Sequence, residues 1–141
     1  MLFQKLRLKN IRSYVDEEII FPEGTILLSG NVGSGKSTIL LAIDFAFFGI
    51  RRGELSGSAL LRNGTSEGFV IFDFSIDNKK ISIKRTLKRT ANGILQDAGY
   101  LTINDVTEQL TPVEIKQRIL HLLNYPQEAL SKKSLIYRYT V

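Results

Sequence analysis

The sequence predicts an α/β fold in which a short buried strand runs through a glycine-rich loop into a long apolar helix. Three observations carry this. Thr25-Ile26-Leu27-Leu28 is a β-rich apolar run of strand length. Gly30-Asn31-Val32-Gly33-Ser34-Gly35-Lys36-Ser37-Thr38 follows and satisfies G-x-x-x-x-G-K-[ST], the phosphate-binding P-loop or Walker A pattern. From about Lys36 to Phe48 the chain is apolar on nearly every helical side, as a helix buried between layers must be. Strand, glycine loop and helix in this order aim backbone N–H groups and a helix N-terminus at an anion.

Each residue type in the loop has a chemical reason. Gly33 and Gly35 allow positive φ and close approach of the backbone to phosphate oxygens. The N–H groups of Asn31, Val32 and Ser34 belong to the same cradle. Lys36 is a flexible point charge suited to β- and γ-phosphates, the Ser37 hydroxyl suits Mg²⁺, and Thr38 is placed to hydrogen-bond a phosphate. A glycine turn that binds nothing is the competing reading, and the complete motif in its strand–helix context weighs against it. The expected ligands are ATP and Mg²⁺, with Lys36 as the catalytic cation and Ser37 as the metal ligand.

At 141 residues the chain is expected to be one domain, 1–141, large enough for a real core. Its 43% hydrophobic and 23% charged residues are ordinary for a globular protein. No apolar run approaches the roughly 18 residues a membrane helix needs. Lys5, Arg7, Lys9 and Arg12 alternate with apolar residues instead of preceding an apolar block, unlike a secretory signal. The absence of cysteine excludes disulfides, a zinc site and a thiol nucleophile, and a cytoplasmic location fits. A net charge of +5 with pI near 9.6 permits a polyanionic partner such as DNA. For the basic pairs Arg51-Arg52, Lys79-Lys80, Lys84-Arg85, Lys88-Arg89 and Lys132-Lys133, solvated strand edges and hairpin tips explain the pattern as well as a partner does.

In chain order, Leu2 to Asn10 alternates mostly apolar even positions with basic odd ones, a half-buried strand. Val15 to Phe21 reads as a second strand, and Pro22-Glu23-Gly24 as a turn into the P-loop strand. Two strands before the P-loop strand predict an antiparallel flank on a mixed nucleotide-binding sheet. Gly49 suits the C-terminus of the long helix. Residues 50–64 read as irregular, with a short helix near Ser58 to Leu61. Gly68 to Ile76 and Lys79 to Thr90 alternate around an Asp77-Asn78 turn, and Ala91-Asn92-Gly93 marks another hairpin. Ile94 to Ile103 reads as a third meander strand, with Asp97-Ala98-Gly99 as a candidate interruption. Thr111-Pro112-Val113-Glu114 carries the signature of a capped helix start, with Ile115, Ile119, Leu122 and Leu123 as its apolar stripe. A further short helix is expected after Pro126, and Leu135 to Val141 reads as a strand.

Three segments imitate catalytic machinery. Phe69-Val70-Ile71-Phe72-Asp73 looks like an acidic Walker B strand, but it alternates on into a hairpin, so Asp73 is expected to be an exposed strand aspartate. Asp44 lies too far along the helix to reach phosphates. Leu55-Ser56-Gly57-Ser58 has the opening letters of an LSGGQ signature yet comes about twenty residues after the P-loop and lacks its second Gly and its Gln. His121, the lone histidine, reads as structural or capping. What remains is half a nucleotide site.

Leu6-Arg7-Leu8-Lys9-Asn10-Ile11-Arg12-Ser13-Tyr14, the Walker A from residue 30, and Leu40 to Gly49 together resemble the N-terminal ATPase segment of SMC-like double-strand-break repair ATPases, the SbcC family and its archaeal relatives. The resemblance implies an ABC-ATPase-like P-loop NTPase head, N-terminal lobe only, from a DNA-associated prokaryotic protein. It implies a C-terminal segment across a coiled coil that supplies Walker B and signature motifs, and a second head closing around ATP as a homodimer. A nuclease subunit and DNA ends are the further partners. Carried over by position, Arg12 and Ser13 match nucleotide contacts, and Arg62-Asn63-Gly64 matches a loop approaching the nucleotide. Val32 departs from the family pattern, which has Asn immediately before the second Gly.

Two other function classes stay open on the residues alone. A stand-alone P-loop kinase for a small metabolite needs an arginine-rich lid and an acidic substrate base, and 51–62 supplies only the basic part. A DNA- or partner-binding scaffold would use the P-loop merely as a nucleotide sensor.

Overall fold

A computed structural model describes residues 1–22, 34–50 and 57–123, and of residues 34–37 only the backbone. The Pro22-Glu23-Gly24 turn beyond Pro22, the strand at 25–28, the loop to Gly33, the Arg51-Arg52 pair, Leu55-Ser56, Lys132-Lys133, the helix after Pro126 and the strand at 135–141 lie outside the described residues.

The elements run β1 (Leu2–Ile11), β2 (Tyr14–Ile20), α1 (Ser34–Phe48), α2 (Gly57–Leu60), β3 (Glu67–Ile76), β4 (Lys79–Thr90), β5 (Gly93–Gln96), β6 (Gly99–Ile103), β7 (Val106–Leu110) and α3 (Pro112–Leu122). The strands form one seven-stranded sheet in the order β2-β1-β3-β4-β6-β7, with β5 also on β4. Every described pairing is antiparallel. The expected flank and the expected meander are therefore continuous, because β1 pairs with β3. The expected mixed sheet is antiparallel throughout its described part, and the expected strand entering the P-loop lies outside the described residues.

Strand β1 keeps its alternation only in the middle. Leu6 and Leu8 are buried while Arg7 faces solvent. A register shift between Phe3 and Lys5 turns Phe3 toward the core and leaves Leu2 exposed, so the apolar face does not follow the even positions throughout. Such a bulge adds a residue and reverses the facing of everything beyond it.

The hairpins follow their turn residues. Asp77-Asn78 and Asn104-Asp105 both take positive φ at each position, the condition for tight two-residue hairpin turns. The first joins β3 to β4 as expected. The second creates β7, a strand the sequence reading does not contain, and Asn104-Asp105 is the signal that marks it. At the 90–93 turn, positive φ falls on Gly93 alone. The stretch from Ile94 divides at Asp97-Ala98 into β5 and β6, both paired to β4.

Helix α1 covers one face of the sheet, with Ala42 to Gly49 buried without a break. Its Phe47 meets Phe72 and Phe74 of β3 edge-on, with centroids 5.6 and 5.5 Å apart. Each such pair stabilises by about 0.5–1.5 kcal/mol beyond the area it buries. Gly49 ends the helix at φ 75, its N–H donating to the Phe45 carbonyl. A Cβ there would meet Gln96 Oε1 at 2.7 Å. Helix α3 starts with the full capping box: the Thr111 hydroxyl accepts from the Glu114 N–H, and the Glu114 carboxylate accepts from the Thr111 N–H. Its buried stripe is Ile115, Ile119, Leu120 and Leu123, with Leu122 only half-buried. Among the described residues no helix is long and apolar enough to cross a membrane.

Candidate functional site

Helix α1 begins at Ser34, inside the glycine-rich motif. The N–H groups of a first helical turn have no intrahelical partner, and the helix dipole adds about half a positive charge at that end. Gly35, Lys36 and Ser37 thus lie in the turn best suited to an anion, and Thr38 beneath them is buried. The loop positions Asn31, Val32 and Gly33 and the side chains of Ser34, Lys36 and Ser37 lie outside the described structure.

The second group of candidate residues sits at the turn between β1 and β2. Arg12 and Ser13 form that turn and are exposed. Asn10 and Arg12 both lie in the left-handed region, at φ 54 and 52. That region is uncommon for an arginine and persists where surrounding bonds fix it. The bonds are visible. The Arg12 N–H donates to the Leu60 carbonyl at 2.8 Å, and the Arg62 N–H to the Asn10 carbonyl at 2.9 Å. The Arg62 Nη1 donates to the Arg12 carbonyl at 3.0 Å. The turn of Arg62-Asn63-Gly64, with Gly64 at φ 82, is therefore clasped to Arg12-Ser13 across fifty residues of chain.

Gly68 makes the clasp sterically possible. A Cβ at this position would lie 2.6 Å from the Lys9 carbonyl and 2.9 Å from that of Asn10. Only a residue without a side chain lets the start of β3 approach the end of β1 this closely.

Arg85 is the important residue that sequence reasoning missed. It is fully buried on the inner face of β4. Its Nε donates to the Ala46 carbonyl at 2.7 Å and Nη2 to the Phe47 carbonyl at 3.0 Å, at the C-terminus of α1. Nη1 reaches the Pro112 carbonyl of α3 at 3.3 Å. A cation at a helix C-terminus satisfies orphan carbonyls and opposes the dipole's negative end. Burial pushes the guanidinium down to about 9, still charged at neutral pH. The pair Lys84-Arg85 is thus no cluster: the pleat sends Lys84 outward, 4.6 Å above the Phe69 ring, and Arg85 inward. The signal available in the sequence was that Arg85 shares the parity of Ile81, Ile83 and Leu87.

The two aspartates that imitate catalytic machinery, Asp73 and Asp44, lie on β3 and within α1. Asp73 lies on β3, half-buried instead of exposed, accepting from the Ser82 hydroxyl at 2.6 Å and 3.8 Å from Lys5 Nζ. Asp44 is buried in α1, ten residues past Ser34 and so roughly 15 Å along the helix axis. His121 is exposed in the last turn of α3. Among the described residues, no three His, Asp or Glu gather as a metal site.

A helix starting inside a complete Walker A motif, packed on an antiparallel sheet, defines a P-loop ATPase-head fold. A family model described as an AAA domain matches residues 5–137, nearly the whole chain, and the chain belongs to that family. Among curated proteins, it is 36% identical over 85 residues to the DNA double-strand break repair Rad50 ATPase of Archaeoglobus fulgidus, covering 60% of this chain and 10% of that protein. It is 32% identical over 98 residues to the Rad50 ATPase of Thermoplasma volcanium, covering 70% and 11%. The chain thus spans about a tenth of the length of these relatives. In fold it is similar to the recombination mediator protein RecF-ATPrS of the RecFOR pathway, at TM-score 0.59 and 23% identity, covering 80% of this chain and 29% of that one. These matches identify the chain as an N-terminal ABC-type ATPase head segment.

Proposed function

We propose that this chain is the ATP-binding half of a DNA double-strand-break repair ATPase, one lobe of a head that closes as a dimer around ATP. The observation that carries the reading is the start of α1 at Ser34 within the Walker A motif, which offers free N–H groups to a phosphate. The clasped Arg12 and Arg62 turns and the Rad50 relatives support it. In this reading the backbone of Asn31 to Gly35 and the Lys36 side chain hold the triphosphate, Ser37 ligates Mg²⁺, and Thr38 supports a phosphate oxygen. Arg12, Ser13 and Arg62-Asn63-Gly64 flank the nucleotide. The ion supplies charge neutralisation at the transferred phosphoryl group when bound.

The acidic metal ligand, the signature residues and the water-positioning group come from a C-terminal lobe, so 1–141 by itself binds nucleotide weakly and turns over essentially none. The assembled head acts with a nuclease subunit on DNA ends, in the cytoplasm. The test is ATP turnover by 1–141 with and without a co-expressed C-terminal lobe. Turnover is expected only in the pair, and its loss in Lys36→Ala. Comparable turnover by 1–141 alone would overturn the division of labour.

A further inference from the structure

The Arg12 turn and the Arg62-Gly64 turn are clasped to one another, and the clasp is in turn held from outside. Arg89, near the end of β4, donates from Nε to the Thr65 carbonyl at 2.8 Å and from Nη2 to the Arg62 carbonyl at 3.4 Å. Its own N–H donates to the Ser66 carbonyl at 2.7 Å. The Arg62 carbonyl also accepts from the Thr65 N–H at 3.2 Å and the Thr65 hydroxyl at 2.7 Å. One guanidinium thus spans both ends of a four-residue turn whose first residue reaches on to Arg12.

Three arginines stand at this corner, with Glu67 at the start of β3 as the neighbouring acid. Arg12, Arg62 and Arg89 take part in none of the ion pairs found among the described residues, and the hydrogen bonds described for their side chains end on backbone carbonyls. An exposed arginine held by a planar fork to two carbonyls is a rigid strut, whereas a lysine offers one point of attachment.

We propose that Arg89 is a positioning residue for nucleotide binding: it fixes the 62–65 turn, and through Arg62 the Arg12 turn, in the geometry that meets the anion. This rests on the ATP-binding reading above. Arg89 touches no ligand in this scheme. Because it is exposed and its acceptors are surface carbonyls that water can serve, its removal frees the turn without opening the core.

The experiment is a double-mutant cycle on the full-length ATPase, measuring the Kd of a fluorescent ATP analogue and the thermal midpoint. Arg89→Ala is expected to weaken binding about five- to tenfold, one turn's ordering within the usual range of a few hydrogen bonds, with the midpoint nearly unchanged. Arg89→Lys should recover part of the loss. In an Arg62→Ala background, Arg89→Ala should weaken binding less than twofold further, because the link to Arg12 is already broken. Lys36→Ala serves as the reference. If Lys36→Ala weakens binding while Arg89→Ala does not, or if the Arg62 and Arg89 losses multiply independently, the positioning role is overturned and the ATP-binding reading stands. If Lys36→Ala leaves binding intact, the ATP-binding reading falls and this inference with it.

Discussion

Arg85 and Arg89 stand four residues apart on β4, share its pleat parity, and are described donating only to backbone carbonyls from their side chains. One is fully buried under α1 and the other is exposed beyond it. The chemistry is the same and the consequence differs. At Arg85, water has no access to the guanidinium, so the buried carbonyls of Ala46 and Phe47 depend on that side chain. At Arg89, water can replace each bond, so the side chain sets the shape of a turn more than the stability of the fold. Environment, and not residue type, decides which role a hydrogen bond plays.

The largest test of this contrast is Arg85→Ala. It strands buried carbonyls and leaves a cavity, and should lower unfolding free energy by at least about 3 kcal/mol in urea denaturation. A loss below about 1 kcal/mol would mean the site relaxes as easily as the surface one. Next is Gly68→Ala, where the new Cβ meets backbone oxygen and cannot be accommodated by a side-chain rotation. Overpacking of that kind costs about 1–3 kcal/mol, and here it should also weaken ATP binding, since it prises the 60–64 segment off β1.

Thr111→Ala should cost about 1 kcal/mol at neutral pH, the usual value of a helix cap. The same box carries a pH dependence. Hydrogen bonding to the Thr111 N–H and then to its hydroxyl holds the Glu114 carboxyl below its ordinary 4.5. A carboxyl depressed in the folded state contributes its stability fully above the unfolded value and loses it as pH falls through the folded one. Melting curves from pH 6 down to pH 3 should show that acid-side loss in the wild type and a smaller one in Glu114→Gln. Smallest of all is Asp73→Asn, which removes an outer-face ion pair and should change stability by less than about 0.5 kcal/mol. ATP turnover of the assembled head should stay within twofold; a tenfold drop would make Asp73 a metal ligand after all.

The strand–helix–meander order was legible because each element obeys a local rule. Period-two alternation marks β3 and β4, an apolar surround marks α1, and a capping box marks α3 within a residue of its start. Strand β7 was missed because Val106-Thr107-Glu108-Gln109 is mostly exposed and carries no apolar face to read. The inward turn of Phe3 was missed because a bulge depends on the register against β3, which belongs to two strands at once. Of the candidate site, Arg12, Ser13 and residues 62–64 were legible as separate letters; their contact was not.

By itself, the sequence determined the phosphate-binding motif, the helix that carries it and the hairpins beside it, because glycine spacing, caps and periodicity act over a few residues. Only the tertiary structure decided that Arg62 reaches Arg12, that Arg85 fastens α1 to the sheet, and that Arg89 braces a turn. These are bonds between residues 24 to 50 positions apart, and at such separations the partner is fixed by how the sheet brings strands together and by where α1 excludes water.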